Sequence, residues 1–315
     1  MLVCWYHPSA LDHHTGRGHP ERPERLLAIR ERLARDPVPG LVWREPPRAT
    51  LDQLARAHDR DHVERVRAAI PREGLAALDP DTVVSPGSWE AALRSAGAAV
   101  AAVDAVMGGE TRRSFSCMRP PGHHAERRRA MGFCLFDNVA VGALHARHLH
   151  GVRRIAIFDF DVHHGNGTQD IFRDDPDTLY CSTHQWPLYP GTGREDETGV
   201  AGNLLNRTFP PGTDGARWRR VVERDMLPVV DAFRPQLVMI SAGFDAHRRD
   251  PLAGLLLEEA DFAWITARLV EIAERHAGGR VVSVLEGGYD LEALAASVRA
   301  HLAALGEGAE EDGER

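Results

Sequence analysis

Residues 155–169, IAIFDFDVHHGNGTQ, pass directly from an apolar run into a cluster of carboxylate, imidazole and glycine residues. The apolar part, Ile155–Phe160, has the length and β-branched content of a buried strand. The polar part that follows therefore lies at the carboxyl end of that strand. Ligands of open parallel sheets bind beyond the carboxyl ends of the strands, so this loop is the first place to expect chemistry.

The same change from strand to polar loop occurs at three further points of the chain. Carboxyl ends of parallel strands share one edge of the sheet, so these loops are expected to meet there. The three predicted strands with their loops are Ser114–Met118 before RPPGHH (119–124), Leu237–Ser241 before AGFDAH (242–247), and Arg280–Leu285 before EGGYD (286–290).

Strand patterns alternate with helical ones along the whole chain, which predicts one α/β domain at 1–305 with helices on both faces of a parallel sheet. An acidic, glycine-containing tail at 306–315 is predicted to be disordered. Two more strands are predicted at Leu2–Tyr6 and Thr178–Ser182. Helices are predicted at Pro20–Leu33, Leu51–Ile70 with a break near His58, Ser88–Met107, Asp137–His150, Gly215–Phe233, Glu258–Ala277 and Leu291–Leu305.

Composition excludes several classes of protein. The chain has 315 residues and a net charge of −8, which argues against a nucleic-acid or anionic-membrane binder. All 38 basic residues are arginine, and the absence of lysine excludes Schiff-base and P-loop chemistry.

The chain has no run of about 18 apolar residues, so no membrane span is predicted. The start of the chain lacks a signal-peptide pattern, and a cytoplasmic location is predicted. The four cysteines, Cys4, Cys117, Cys134 and Cys181, are too far apart in sequence for a C-x-x-C metal or redox motif.

Asp161 and His163 are two residues apart at a strand end, so their side chains point the same way. Asp245, after another strand, is a candidate third ligand. Two carboxylates and one imidazole with an open fourth position suit a catalytic Zn²⁺ or Fe²⁺. Taken alone, Asp161 and His163 are better explained as a hydrogen-bonded loop pair.

His123 and His124 are candidates for a general acid and base, each oriented by a carboxylate or an amide. Tyr289 follows two glycines that allow close backbone approach, and its hydroxyl is a candidate donor to an oxyanion. The alternatives are two ordinary loop histidines and a core tyrosine.

Six motifs in one order carry a family resemblance: RPPGHHA (119–125), GFCLFDNVA (132–140), DFDVHHGNGTQ (159–169), YPGTG (189–193), SAGFDAHRRDPL (241–252) and LEGGYD (285–290). Together they resemble the zinc-dependent histone deacetylase superfamily. GHPERPERL (18–26) and Asn166 resemble the class II enzymes and the bacterial histone deacetylase-like amidohydrolases, which are related to acetylpolyamine amidohydrolases. The resemblance covers about residues 1–302.

The resemblance implies an arginase-like, three-layer α/β domain around a mostly eight-stranded parallel sheet. It implies that Asp161, His163 and Asp245 hold zinc, with Asp159 behind His123 and Asn166 behind His124. The implied reaction is amide hydrolysis by metal-activated water, with His124 as the base, His123 as electrostatic support and Tyr289 as an oxyanion donor.

The family also implies secondary sites. A structural potassium ion would match Asp159, Asp161, His163, Ser182 and Thr183, largely through backbone oxygens. The rim aspartate that binds the substrate backbone would be Asp79 or Asp81, and Arg25 resembles the arginine of an acetate-exit channel. The alternative for Arg25 is a surface arginine on a helix. The substrate tunnel would be lined by Gly132, Phe133, Tyr189 and Leu252.

Three functions remain open besides deacetylation of acyl-lysine in proteins or peptides. The nearest is an acetylpolyamine amidohydrolase, although the insertion that narrows the mouth of those enzymes is not evident here. A ureohydrolase of arginase type needs further aspartates for a second metal, where this chain has His164 and Gly165. A non-catalytic binding module would be expected to lack a ligand or the tyrosine, and all of them are present.

Overall fold

A computed structural model describes residues 1–306. In that range the chain forms an eight-stranded sheet in which every neighbouring pair of strands is parallel, in the order β2-β1-β5-β10-β9-β6-β7-β8. This confirms the predicted fold class. The strands of the sheet are β1 (Leu2–Trp5), β2 (Leu41–Arg44), β5 (Arg113–Ser116), β6 (Ile155–Asp159), β7 (Thr178–Gln185), β8 (Leu204–Phe209), β9 (Leu237–Ala242) and β10 (Val281–Leu285); β3 (Ala76–Ala77) and β4 (Val83–Val84) form a separate antiparallel pair.

The helices pack as two layers against the sheet: α4 lies against α5, and α9 lies against α10. The predicted break near His58 is confirmed, because the first segment ends at Ala57 and the next begins at Arg60. The helices are α1 (Glu24–Arg35), α2 (Leu51–Ala57), α3 (Arg60–Ala68), α4 (Ser88–Met107), α5 (Asn138–His150), α6 (Asn166–Phe172), α7 (Gly215–Val221), α8 (Leu227–Phe233), α9 (Glu259–His276) and α10 (Leu291–Gly306), with a 3-10 turn at Pro8–Leu11.

Several boundaries differ from the sequence predictions. The helix predicted at Gly215–Phe233 is interrupted by a π-helical segment, Val222–Met226, directly before α8, whose second residue is Pro228. Proline lacks the N–H that would continue an α-helical ladder, which accounts for the change in pitch there. The helix predicted from Pro20 begins only at Glu24, because prolines at 20 and 23 precede it.

Gly306 is the last residue of α10, so it belongs to the helix and not to the predicted tail. The rest of that tail, residues 307–315, lies outside the described residues. Within residues 1–306 no helix is long and apolar enough to cross a membrane. The four cysteines are free and buried.

The order of the strands explains where chemistry collects. β5, β10, β9 and β6 are consecutive neighbours at the centre of the sheet, and β6, β9 and β10 are buried along their whole length. The four polar loops identified in the sequence follow these four strands. They therefore meet side by side at the carboxyl edge of the sheet, as in other open α/β folds.

Candidate active site

Asp161, His163 and Asp245 converge at this edge. His163 Nδ1 lies 3.2 Å from Asp161 Oδ1 and 3.0 Å from Asp245 Oδ2, and all three side chains are buried. The second oxygen of each carboxylate is held by backbone: Gly287 N–H donates to Asp161 Oδ2 at 2.9 Å, and Val162 N–H donates to Asp245 Oδ1 at 2.8 Å. The loops after β6, β9 and β10 thus fix one small cluster of oxygen and nitrogen ligands.

The two buried carboxylates of this cluster favour a positive charge between them. Burial and the neighbouring charge of Asp161 raise the pKa of Asp245 to about 6. Burial lowers the pKa of His163, but its hydrogen bonds to the two carboxylates and their charges raise it to about 10. Two buried carboxylates at this spacing stabilise a positive charge between them, whether that charge is a proton or a metal ion.

The donor set fits zinc. Zn²⁺ binds carboxylate oxygens and imidazole nitrogens, and this cluster offers two of the first and one of the second. The three ligand atoms lie within 4.8 Å of one another. Backbone packs closely around them: a Cβ at Gly243 would overlap the Asp161 carboxylate, and a Cβ at Gly287 would overlap Asp245. Glycine at both positions leaves the ligand atoms room to approach one ion.

The tandem histidines lie next to this cluster, and each ring is oriented by a different group. His123 Nδ1 lies 3.0 Å from Asp159 Oδ2, and His124 Nδ1 lies 2.8 Å from Asn166 Oδ1. Their ring centroids are 4.0 Å apart. Tyr180 donates its hydroxyl to the same oxygen of Asp159 at 2.9 Å. The pairings implied by the resemblance are therefore the ones that the geometry brings together.

The two histidines differ in basicity. Burial lowers the pKa of both rings, but the charges of Asp161 and Asp159 raise the pKa of His123 well above its ordinary value. The charges of His123 and His163 lower the pKa of His124 further below its ordinary value. A neutral His124 is able to accept a proton at neutral pH, whereas His123 supplies positive charge.

A cavity of about 220 Å³ opens above the ligand cluster. Phe133 and Tyr289 both line it and are in edge-to-face contact, with ring centroids 6.0 Å apart, and Tyr189 stands edge-on to His124. Tyr289 is buried, with its ring 5.1 Å from the Arg25 guanidinium carbon. The residues that line the cavity are Asp81, His124, Gly132, Phe133, His163, Leu188, Tyr189, Leu252 and Tyr289.

The wall at Phe133 is held in an unusual backbone conformation. Phe133 has a φ of 69°, a left-handed value that costs a non-glycine residue about 1 kcal/mol or more. Thr82 Oγ1 accepts from Phe133 N–H at 3.1 Å, and Asp81 Oδ1 accepts from the Gly132 N–H at 3.2 Å. His19 packs edge-on to the Phe133 ring at 4.7 Å between centroids. A Cβ at Gly132 would overlap the His124 ring, so glycine is required there.

The structure separates the two candidate rim aspartates. Asp81 lines the cavity, whereas Asp79 turns back to accept hydrogen bonds from the backbone of Asp81 and Thr82. Asp79 also lies 3.7 Å from the Arg129 guanidinium. Of the two, Asp81 is therefore the one that lies on the cavity wall, and its role toward a substrate stays a prediction.

Arg25 is fully buried, so the surface-arginine alternative is wrong. Its guanidinium donates to the backbone oxygens of Gly288 at 2.7 Å and Glu286 at 2.5 Å, and to Glu21 Oε1 at 3.0 Å. These bonds attach the N-terminal helix to the loop that carries Tyr289.

The residues of the implied potassium site are neighbours, because Asp159 and Ser182 are partners in register between β6 and β7. Asp159 Oδ1 accepts from Asp161 N–H at 3.1 Å, and Ser182 Oγ lies 3.0 Å from His184 Nδ1. The Thr183 hydroxyl is buried without a hydrogen-bond partner. Potassium binding at these residues stays a prediction.

Sequence reasoning missed two carboxylates that support the site. Glu286, fully buried, accepts from the N–H groups of Gly122 at 2.7 Å and His123 at 3.2 Å. Asp250 accepts from Tyr289 N–H at 2.7 Å and Leu252 N–H at 2.9 Å. Both lie inside quoted motifs, which was the available signal. The partners of Glu286 are more than a hundred residues away in sequence, and Tyr289 is 39 residues from Asp250.

The comparisons with known proteins agree with this geometry. A family model described as the histone deacetylase domain matches residues 19–305. The chain is 41% identical over 293 residues to a histone deacetylase-like amidohydrolase of Pseudomonas aeruginosa, covering 90% of this chain and 75% of that protein. It is 38% identical over 295 residues to the polyamine deacetylase HDAC10 of Homo sapiens, covering 88% of this chain and 43% of that protein.

Among solved structures, the HD domain of HDA15 superposes with a TM-score of 0.91 at 36% identity, covering 98% of this chain and 88% of that one. The chain therefore belongs to the histone deacetylase family. It is a deacetylase, a hydrolase that acts on amide bonds.

Proposed function

We propose that the chain is a zinc-dependent deacetylase that hydrolyses the acetyl amide of lysine side chains in proteins or peptides. One observation carries the proposal: His163 of the ligand cluster, His124 and Tyr289 line one largely apolar cavity. That arrangement matches a substrate whose reactive amide sits at the tip of a slender aliphatic chain.

Asp161, His163 and Asp245 would hold the zinc ion. When bound there, zinc supplies a Lewis acid that polarises the amide carbonyl and lowers the pKa of water toward about 7. The remaining roles fall to the protein's own side chains.

His124 is the proposed general base. Its Nδ1 faces Asn166, which leaves Nε2 for the reactants. In the proposed reaction this ring takes a proton from the attacking water and later delivers it to the departing amine nitrogen. His123, held by Asp159, contributes positive charge beside the developing negative charge.

Tyr289 is the proposed oxyanion donor. Its ring is in edge-to-face contact with Phe133 and lines the same cavity as the proposed ligand His163. A hydroxyl placed there donates to the carbonyl oxygen as it becomes negative, an interaction that is stronger in the transition state than in the bound substrate.

The cavity walls support a lysine-like substrate. Phe133, Tyr189, Leu188 and Leu252 present apolar surface to the methylene chain, while the Asp81 carboxylate stands at the wall where a peptide N–H can reach it. An aliphatic chain with one buried amide gains free energy from apolar contact along its length.

An acetylpolyamine is the second candidate, because one relative at 38% identity is named a polyamine deacetylase. Such a substrate carries ammonium groups along its chain and needs carboxylates to meet them. Asp81 is a carboxylate on the cavity wall, whereas Leu188 and Leu252 are apolar. The balance of the lining residues favours the lysine side chain.

The test is turnover of acetyl-lysine peptides and N-acetylpolyamines in parallel by the zinc-loaded enzyme. We expect the larger kcat/KM for the peptides, and Asp81→Asn should raise the KM for peptides with little change in kcat. A larger kcat/KM for an acetylpolyamine would overturn the substrate assignment. The cytoplasmic location stays a prediction, which fractionation of cells that express the protein would test.

A further inference from the structure

Three metal-ligand side chains also converge at the opposite edge of the sheet. Asp104 lies on the last turn of α4, and His145 and His150 lie on the last two turns of α5. These helix ends lead into β5 and β6, so they lie at the amino ends of the strands, away from the active site. Within residues 1–306, this group and the active-site cluster are the two sets of three such residues whose ligand atoms all lie within 4.8 Å of one another.

The two rings approach the carboxylate from different sides. His145 Nε2 lies 2.8 Å and His150 Nε2 lies 2.7 Å from the same oxygen, Asp104 Oδ1. The rings are 5.9 Å apart between centroids, with 74° between their planes. Residues five apart in an α-helix are separated by about 140° around its axis, which lets the two imidazoles enclose a point between them.

We propose that Asp104, His145 and His150 form a second binding site for a divalent transition-metal ion such as Zn²⁺. Two imidazole nitrogens and one carboxylate oxygen are a donor set that Zn²⁺ accepts, and solvent would fill the fourth position. The proposal is independent of the catalytic assignment, because it shares no residue with the active site.

Accessibility and charge support an exchangeable ion. Side-chain exposure is 45% for Asp104 and 21% for His150, against 5% for His145. The buried ring therefore fixes the position, and exposed Asp104 with half-buried His150 leaves the ion a path from solvent. Burial raises the pKa of Asp104, but hydrogen bonds from both rings bring it below its ordinary value, so this group is a carboxylate at neutral pH.

Arg56 bears on the tautomer of the buried His145 ring. Its guanidinium NH1 lies 3.1 Å from His145 Nδ1 and can only donate, so Nδ1 accepts and the ring proton is on Nε2. Metal binding requires the other tautomer, in which Nε2 is free and Nδ1–H faces Arg56. Ligand histidines normally donate that second N–H to an acceptor, so Arg56 opposes metal binding and must turn toward solvent.

The experiment counts bound metal in the full-length protein. Protein stripped with a chelator is dialysed against low-micromolar Zn²⁺, and zinc per chain is measured by mass spectrometry. Wild type is expected to hold two equivalents, Asp104→Ala one, Asp245→Ala one, and the double variant none. His148→Ala, an exposed position on the same helix, is the matched control and is expected to keep two.

Arg56→Gln sharpens the test, because glutamine offers a carbonyl oxygen to Nδ1–H. Zinc affinity of the second site, measured in the Asp245→Ala background, is expected to rise in this variant. An affinity that fails to rise overturns the assignment of His145 as a ligand.

The remaining outcomes separate the two sites. If wild type holds one zinc ion per chain, and that ion persists in Asp104→Ala but is lost in Asp245→Ala, the second site is overturned and the active site stands as proposed. A single equivalent lost in Asp104→Ala and retained in Asp245→Ala supports the second site and contradicts the catalytic metal ligands.

Discussion

The two ligand clusters use the same kinds of side chain but are held in different ways. At the carboxyl edge, Asp161 and Asp245 are buried, and a backbone N–H fixes the second oxygen of each carboxylate. At the amino edge, where the strands begin, Asp104 is nearly half exposed, and the rings of His145 and His150 contact one of its oxygens. Ligand type alone therefore does not distinguish a reaction centre from a binding site.

The surroundings make the difference. Around the first cluster, a further layer of buried groups contacts the residues proposed to be catalytic. Asp159 and Asn166 lie behind the tandem histidines, and Asp250 accepts from the backbone N–H of Tyr289. Such supporting contacts hold reactive groups within the small tolerance that catalysis needs. The amino-edge cluster lies on helix ends next to Arg56, a cation that opposes an ion.

The largest expected effect comes from removing one carboxylate in each cluster. Asp245→Ala should reduce deacetylase activity to background, because it removes a ligand from a site with three. Asp104→Ala should leave kcat and KM unchanged, because the helix ends lie at the far edge of the sheet. Turnover of an acetyl-lysine peptide measures both, with circular dichroism to check folding. Activity retained by a folded Asp245→Ala protein would contradict the assignment of the reaction centre.

Removing the hydroxyl of Tyr289 should have the next largest effect. Loss of one oxyanion donor typically lowers kcat about 10²–10³-fold, or roughly 3–4 kcal/mol. Tyr289→Phe keeps the ring and its packing against Phe133, so KM should change little. Steady-state kinetics test this, and a variant that keeps more than about a third of wild-type kcat would count against the role.

Asp250→Asn tests the groups that support Tyr289, and it should lower kcat less than Tyr289→Phe does. The amide retains one acceptor oxygen, so one of the bonds to Tyr289 N–H and Leu252 N–H is lost. Such a bond contributes about 1.5 kcal/mol to stability. If all of that is lost from the placement of Tyr289 in the transition state, kcat falls roughly tenfold.

A double-mutant cycle separates positioning from general stability. If Asp250 acts through the Tyr289 hydroxyl, Asp250→Asn should change kcat little in the Tyr289→Phe background, and the two effects should not add. Equal tenfold losses in both backgrounds would assign Asp250 a purely structural role. Thermal unfolding of all four proteins provides the control.

Strand-end motifs made much of the candidate site predictable. Asp161, His163 and Asp245 follow apolar runs, and the rule for parallel sheets places such loops at one edge. The sheet order that makes these strands adjacent is a long-range property, because β10 inserts between β5 and β9. Local pattern indicates that the loops share an edge but not which ones touch.

Edge strands and supporting contacts were harder to predict. β2 has only three apolar residues before Arg44 and is largely exposed, and β8 is interrupted by Asn206 and Arg207, so neither resembles a buried central strand. Glu286 was quoted within a motif, yet its contact with Gly122 depends on the pairing of β10 with β5. Asp104 is 41 residues from His145, and only the packing of α4 on α5 joins them.

Among the buried groups that support the active site, Glu286 has the smallest expected effect on activity. Burial raises the pKa of Glu286 to about 8. An acid with a raised pKa binds a proton in the folded state that the unfolded chain has lost, so stability is greatest at low pH and falls as pH rises through about 8.

Glu286→Gln is a neutral mimic of the protonated acid and should retain most activity at pH 7. It should also remove about 1 kcal/mol of the decline in unfolding free energy between pH 7 and pH 9. Denaturant unfolding at both pH values measures this, with exposed Glu31→Gln as the matched control. If Glu286→Gln shows the same decline as wild type, Glu286 is ionised across this range, and the carboxylate must then be balanced by the positive charge of His123 rather than by a proton of its own.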